Sequence, residues 1–228
     1  MISHEHKFIF IHIPKCAGTS IERQFGHFDS YSARYKQDHR TIRMIEKPVN
    51  IFDVLRSRES SKEHIKRYLH RFRAVSSNPN NLKTVSDSQY AAYFKFTVVR
   101  NPYDRVFSCY KGVMKDDVHM KERGITDPSL SFRDYVVNHL DKDPLLRSQL
   151  FYIEDNKGNI PIDFIARFER LSEDMQKIYE ILGVNFEILP HELKGDDRKY
   201  QDYYDSELKD LVQRKYRREL ELLSYDFK

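Results

Sequence analysis

The chain has 228 residues, 39% apolar and 32% charged, with thirty Tyr and Phe; this excludes a disordered segment and suits a single domain over residues 1–228. A formal charge of +4 and a pI near 8.8 fit anionic ligands, but the charge is too small and too well mixed with acid to argue for nucleic acid. No apolar stretch approaches the roughly 20 residues of a membrane span, the opening MISHEHK is polar, and Cys16 and Cys109 read as reduced thiols, so a soluble, cytoplasmic protein is expected.

The first apolar run, residues 8–13 (FIFIHI), predicts a buried strand with His12 packed in it. It breaks into PKCAGTS at residues 14–20, and residues 20–25 continue as a helix. Gly18 would let the backbone approach a ligand, Thr19 and Ser20 offer hydroxyls, and the amides of Cys16, Ala17, Gly18, Thr19 and Ser20 sit where a helix start favours an anion. Lys15 adds a mobile positive charge. The order differs from the nucleotide-triphosphate loop GxxxxGK[ST], because the lysine precedes the glycine by three residues instead of following it directly. A different ligand is therefore expected.

Residues 56–73 (RSRESSKEHIKRYLHRFR) predict a helix whose charges interleave with Ile65, Tyr68, Leu69 and Phe72, followed by a flexible connection through SSNPNNLKTVSDS. Residues 94–99 (FKFTVV) predict a second buried strand. It ends in Arg100, where a nucleotide-triphosphate enzyme would usually place a metal-holding aspartate. Arginine there suits phosphate, at the sheet edge where ligands collect. Pro102 suits the first turn of a helix over 103–114 and sets Ser108 about two turns in, within reach of the same anion. A third strand is predicted over 162–168, then a helix over 172–182 with Ser172 as N-cap and Gly183 as its stop. Leu208, Leu211, Val212, Tyr216 and Leu220 recur at helical spacing in a closing helix over 205–223, capped by Asp205 or Ser206. Strand followed by helix, three times, predicts an α/β fold: a P-loop-like, doubly wound parallel sheet flanked by helices.

Two separate anion sites with no obvious metal ligands match what 3′-phosphoadenosine 5′-phosphosulfate (PAPS) requires. PKCAGTS and RNPYDRVFSCY, each after an apolar strand, resemble the 5′-phosphosulfate loop PK[ACGT]xGT[ST] and the 3′-phosphate stretch RxPxxRxxSxY of the carbohydrate-type PAPS-dependent sulfotransferases. The resemblance continues through FRDY at 132–135, Gln149, Ile162 and Asp163, RFERL at 167–171, LPH at 189–191 and the stretch 198–204, so it covers nearly the whole chain. One departure is Leu193, where relatives commonly carry an asparagine.

The resemblance implies a sulfotransferase using PAPS as co-substrate, with no metal and a hydroxyl acceptor on a glycan or small molecule. Lys15 would stabilise the leaving group, residues Cys16 to Ser20 would hold the phosphosulfate, and Arg100 and Ser108 the 3′-phosphate. His39, followed by Arg40 and Thr41, is the favoured base, with Glu46 in reserve. Phe168 stands where the broader fold often sets an aromatic against adenine, with core packing as its equal alternative. Arg198, Tyr200, Tyr203 and Tyr204 read either as a lid or as a surface loop held by tyrosine packing. The basic residues of 56–73, with Lys115 and Lys121, would line a cleft for an acidic glycan or simply solvate helices. A metal-dependent kinase would need magnesium ligands and a GK[ST] loop, and neither is seen. A non-catalytic polyanion-binding module fits poorly with an intact Lys15 and Ser108.

Overall fold

The computed structural model describes residues 1–29, 36–46, 51–55, 58–72, 78–185 and 199–228. In chain order the elements begin with β1 (Ile2–Ser3), β2 (Phe8–Ile11), α1 (Gly18–Gln24), α2 (Ile42–Ile45), α3 (Ile51–Leu55), α4 (Arg58–Phe72), α5 (Asp87–Ala92) and β3 (Phe94–Val99). They continue with α6 (Pro102–Met114), α7 (Asp117–Glu122), α8 (Phe132–His139), α9 (Leu150–Ile153), β4 (Phe164–Arg167), α10 (Leu171–Leu182) and α11 (Ser206–Leu222). They form two compact units, one of residues 1–99 and 149–190, the other of 100–148 and 191–228.

The first unit is built on a four-stranded sheet in the order β1-β2-β3-β4. β2 and β4 both run parallel to β3, with Phe10 opposite Phe96 and Val98 opposite Ala166. β2 and all but the first residue of β3 are buried, which is why β2 is apolar throughout; the two polar residues of β3 are satisfied inside, Lys95 donating to the Tyr90 and Tyr93 carbonyls and Thr97 Oγ1 to the Ile11 carbonyl. Phe96 packs against Phe8 and Phe10 at ring distances of 5.3 and 5.0 Å. The wholly parallel sheet expected from the sequence is corrected by β1, which pairs antiparallel with β2. A tight reversal through Lys7, at φ 51°, folds it back, and two residues are too few to carry a periodicity.

Strand ends also differ from expectation. The β2 ladder stops at Ile11, because His12 turns aside toward α1 and Pro14 opens the loop. β4 starts at Phe164, since the Asp163 carboxylate takes the Lys95 amide at 2.7 Å. Gly183 does end α10, in the left-handed conformation at φ 65°, but Ser172 is not the cap. The helix begins at Leu171, and the fully buried Asp174 in its first turn accepts the Arg167 amide at 2.9 Å. The helix expected in the basic segment is present as α4, preceded by α3; residues 73–77 of the connection lie outside the described residues.

The second unit packs α6, α7, α8 and α11 around a core that includes Val106, Phe107, Phe132, Tyr135, Leu208, Val212 and Tyr216. Asn101 caps α6 through the Tyr103 amide with Pro102 in the first turn, and Asp205 caps α11 through the Leu208 amide at 2.9 Å. Arg105 is fully buried on α6. Its guanidinium donates to the carbonyls of Leu145 at 3.1 Å and Arg147 at 2.5 Å and lies over the Tyr216 ring.

Candidate active site

In the first unit the chain leaves β2 and turns through residues 14–17 before α1 begins. Lys15 at φ 68° and Ala17 at φ 63° both adopt the left-handed region that side chains with a Cβ rarely enter. Such strain persists only where surrounding structure enforces it, and it concentrates at binding loops. Cys16, Ala17 and Gly18 are buried, while Lys15, Thr19 and Ser20 are partly exposed. The Cys16 thiol donates to Gln149 Oε1 at 3.4 Å and to the Pro14 carbonyl at 3.6 Å, so it fixes the underside of the loop. The Ser20 amide is already used, donating to the Ala17 carbonyl at 3.1 Å, which leaves Ser20 to act through its hydroxyl. Thr19 Oγ1 accepts from Gln37 Nε2 at 3.0 Å.

Gly18 has a packing reason to be glycine beside the one its sequence suggested. A Cβ there would fall 2.0 Å from Cδ2 of His12, so the missing side chain makes room for an imidazole. His12 is buried, with Nδ1 3.1 Å from Glu22 Oε1. Its ring centroid lies 4.2 Å from that of His39. His39 Nδ1 is 3.2 Å from the His12 carbonyl oxygen. A carbonyl only accepts, so Nδ1 carries the proton and Nε2 keeps its lone pair, the tautomer a base needs. Burial, and then the His12 imidazole, push His39 down from 6.5 to about 4. Burial alone would raise the Glu22 carboxyl; His12 and the Met1 amino group outweigh it and hold Glu22 below its ordinary range. Asp38, next to His39, is held well below its ordinary value for the same kind of reason. Burial opposes its charge, but the Met1 amino group at 3.0 Å and Arg40 at 2.6 Å outweigh it.

Thus the structure gathers His39 at the loop's edge with two partners that the sequence did not single out. His12 read as packed in the first strand, and Glu22 carried no assignment. The only sequence signal was polarity out of place: a histidine inside an apolar run, and an acid on the buried side of α1. Glu46, the reserve carboxylate, caps the C-terminal end of α2 and is partly buried. Phe168 follows β4 in a short 3₁₀ turn and is also partly buried.

Arg100 and Ser108 belong to the second unit. Arg100 Nε donates to Asp104 Oδ2 at 2.7 Å, one helical turn on, which anchors the guanidinium at the start of α6. Ser108 is partly buried on the same helix. Tyr204 is core rather than lid: it is buried, donates to the Tyr103 carbonyl at 2.8 Å, and packs edge-on against Phe132 and Phe227. Tyr203 packs at a tilt against Phe107, ring centroids 4.5 Å apart, and Tyr200 packs against Tyr204 and Phe227. Arg198 and residues 189–191 lie outside the described residues.

Among the described residues, no group of three or more His, Cys, Asp or Glu side chains is placed to hold a metal ion, and no helix is long and apolar enough to cross a membrane. In comparisons with known proteins, the model of one family, described as "Sulfotransferase family", matches residues 1–226. No curated protein and no solved structure matches the chain.

Proposed function

The chain belongs to the sulfotransferase family, and from that premise we propose that it moves the sulfuryl group of PAPS onto an acceptor hydroxyl, on a carbohydrate in the first instance. The observation that carries this reading is the loop after β2. It spends backbone strain at Lys15 and Ala17, and it lies beside a histidine held in the base-competent tautomer.

In the proposed reaction His39 Nε2 takes the proton of the acceptor hydroxyl as its oxygen bonds to sulfur. The bond from sulfur to the 5′-phosphate oxygen breaks, and the Lys15 ammonium meets the negative charge that develops there. The amides of Cys16, Ala17, Gly18 and Thr19, with the Thr19 and Ser20 hydroxyls, hold the phosphosulfate. The motif pattern assigns Arg100 and Ser108 to the 3′-phosphate, Phe168 to the adenine and Arg198 to the nucleotide. No metal enters the scheme, and residues 1–228 act as one sulfotransferase domain.

Calorimetry with 3′-phosphoadenosine 5′-phosphate against ATP plus magnesium tests the reading. Tight, metal-independent binding of the bisphosphate is expected. Preference for ATP with magnesium would overturn it in favour of a kinase.

A further inference from the structure

Glu22 is wholly buried on α1 and is not among the residues proposed to hold the donor. One oxygen of its carboxylate serves two segments. Oε1 lies 3.1 Å from His12 Nδ1 and accepts the Asp38 amide at 3.0 Å. Those segments are the two that fix His39. The His12 carbonyl receives the His39 Nδ1 proton, the His12 ring lies 4.2 Å from the His39 ring, and Asp38 is the residue immediately before it. Gly18 closes the other side of the His12 ring, so that ring has one place to lie.

We propose that Glu22 is a positioning residue for His39, setting its ring orientation and its Nδ1–H tautomer by anchoring His12 and the Asp38 backbone from a single carboxylate oxygen. This inference rests on the reading of His39 as the base. A residue without contact to the reacting atoms can act this way, because a displacement of about 1 Å at a catalytic group costs on the order of 10²-fold in rate. The titratable groups facing His39 are His12 after β2, Glu22 on α1, and Asp38 on its own segment. Of these, Glu22 is the one that touches both neighbours of the imidazole.

The test uses Glu22→Ala and Glu22→Gln in the full chain. NMR of the imidazole nitrogens reports the His39 tautomer, and release of labelled sulfate from PAPS to water reports turnover without an identified acceptor. The expected result for Glu22→Ala is loss of the single Nδ1–H tautomer, a displaced His39 titration and a turnover loss of about 10- to 100-fold, with 3′-phosphoadenosine 5′-phosphate affinity kept. Glu22→Gln keeps an oxygen acceptor for the Asp38 amide and should recover much of that loss. If Glu22→Ala does not fold, the same spectra on Glu22→Met, which keeps the volume and has no oxygen acceptor, decide: an unmoved His39 tautomer and titration in a folded variant without that oxygen overturns the proposal.

Turnover in His39→Ala and in the double variant separates the two ideas. If His39→Ala keeps wild-type turnover, the base reading fails, whatever the spectra show. If His39→Ala is slow and adding Glu22→Ala costs nothing further, Glu22 acts through His39; a multiplicative loss overturns that.

Discussion

Lys15 is a partly exposed residue with its backbone held in the left-handed region, so the loop fixes where the side chain starts. Lys15→Ala should lower kcat by about 10²- to 10³-fold, the usual loss when one stabiliser of developing charge is removed. The affinity for 3′-phosphoadenosine 5′-phosphate, measured by calorimetry, should fall far less. His39 gives a second expectation, this time for stability. Its folded value of about 4 lies below the ordinary 6.5, so the unfolded chain binds the proton first as pH falls. Acidification through the window from 6.5 to about 4 therefore favours unfolding, and the loss is complete below that value. Urea melts across this window should show a steeper decline for the wild type than for His39→Asn; equal slopes would refute the burial of a neutral imidazole. The turn after β2 was legible because Pro14 and Gly18 break an apolar run, whereas His39 was singled out only through the resemblance. The contact of Glu22 and the packing of Gly18 were not legible, since both depend on where the His12 ring lands, ten residues from Glu22 in the chain and set only by tertiary packing.

The strands were legible as elements for one reason: a strand buried on both faces is mostly apolar, as β2 is throughout and β3 is apart from Lys95 and Thr97. Their ends were not, because Asp163 and His12 stop the ladder with side-chain contacts that leave no mark on hydropathy. Caps were read well where a side chain does the capping, as at Asp205, and missed at α10, where the buried Asp174 ties the strand end to the helix start. Composition also cannot separate an aromatic lid from an aromatic core, which is why Tyr203 and Tyr204 stayed open in the sequence. On α6 the residue between the two proposed phosphate ligands is structural. Arg105 supplies donors to two carbonyls of the 145–147 segment from a fully buried position. Arg105→Ala should cost about 2–4 kcal/mol in urea unfolding, since the carbonyls lose their partners and a cavity opens. Arg105→Lys should recover only part, because an ammonium cannot reproduce the planar fork.

Both compact units are discontinuous in sequence, and the two motifs fall one in each: the loop of residues 14–20 in the first, Arg100 and Ser108 in the second. Family membership was legible at this scale because the motifs keep their order and their strand context across almost the full length, whereas the division into units follows contacts that no motif records. If one ligand uses both motifs, saturation should stabilise the molecule as a whole. At a hundred times its dissociation constant, 3′-phosphoadenosine 5′-phosphate should add about 2.7 kcal/mol, or about 5–10 °C in Tm for a chain this long. ATP with magnesium at the same concentration should shift Tm far less, as differential scanning calorimetry would record. The order in which the sheet is assembled has a further consequence, for synthesis. β3 emerges from the ribosome with β2 ready on one side, but its other neighbour, β4, follows only after the whole of α6, α7 and α8. At about 5–20 residues per second, β3 presents an open, apolar edge for several seconds, which makes the nascent chain a natural client for chaperones that shield unpaired strands.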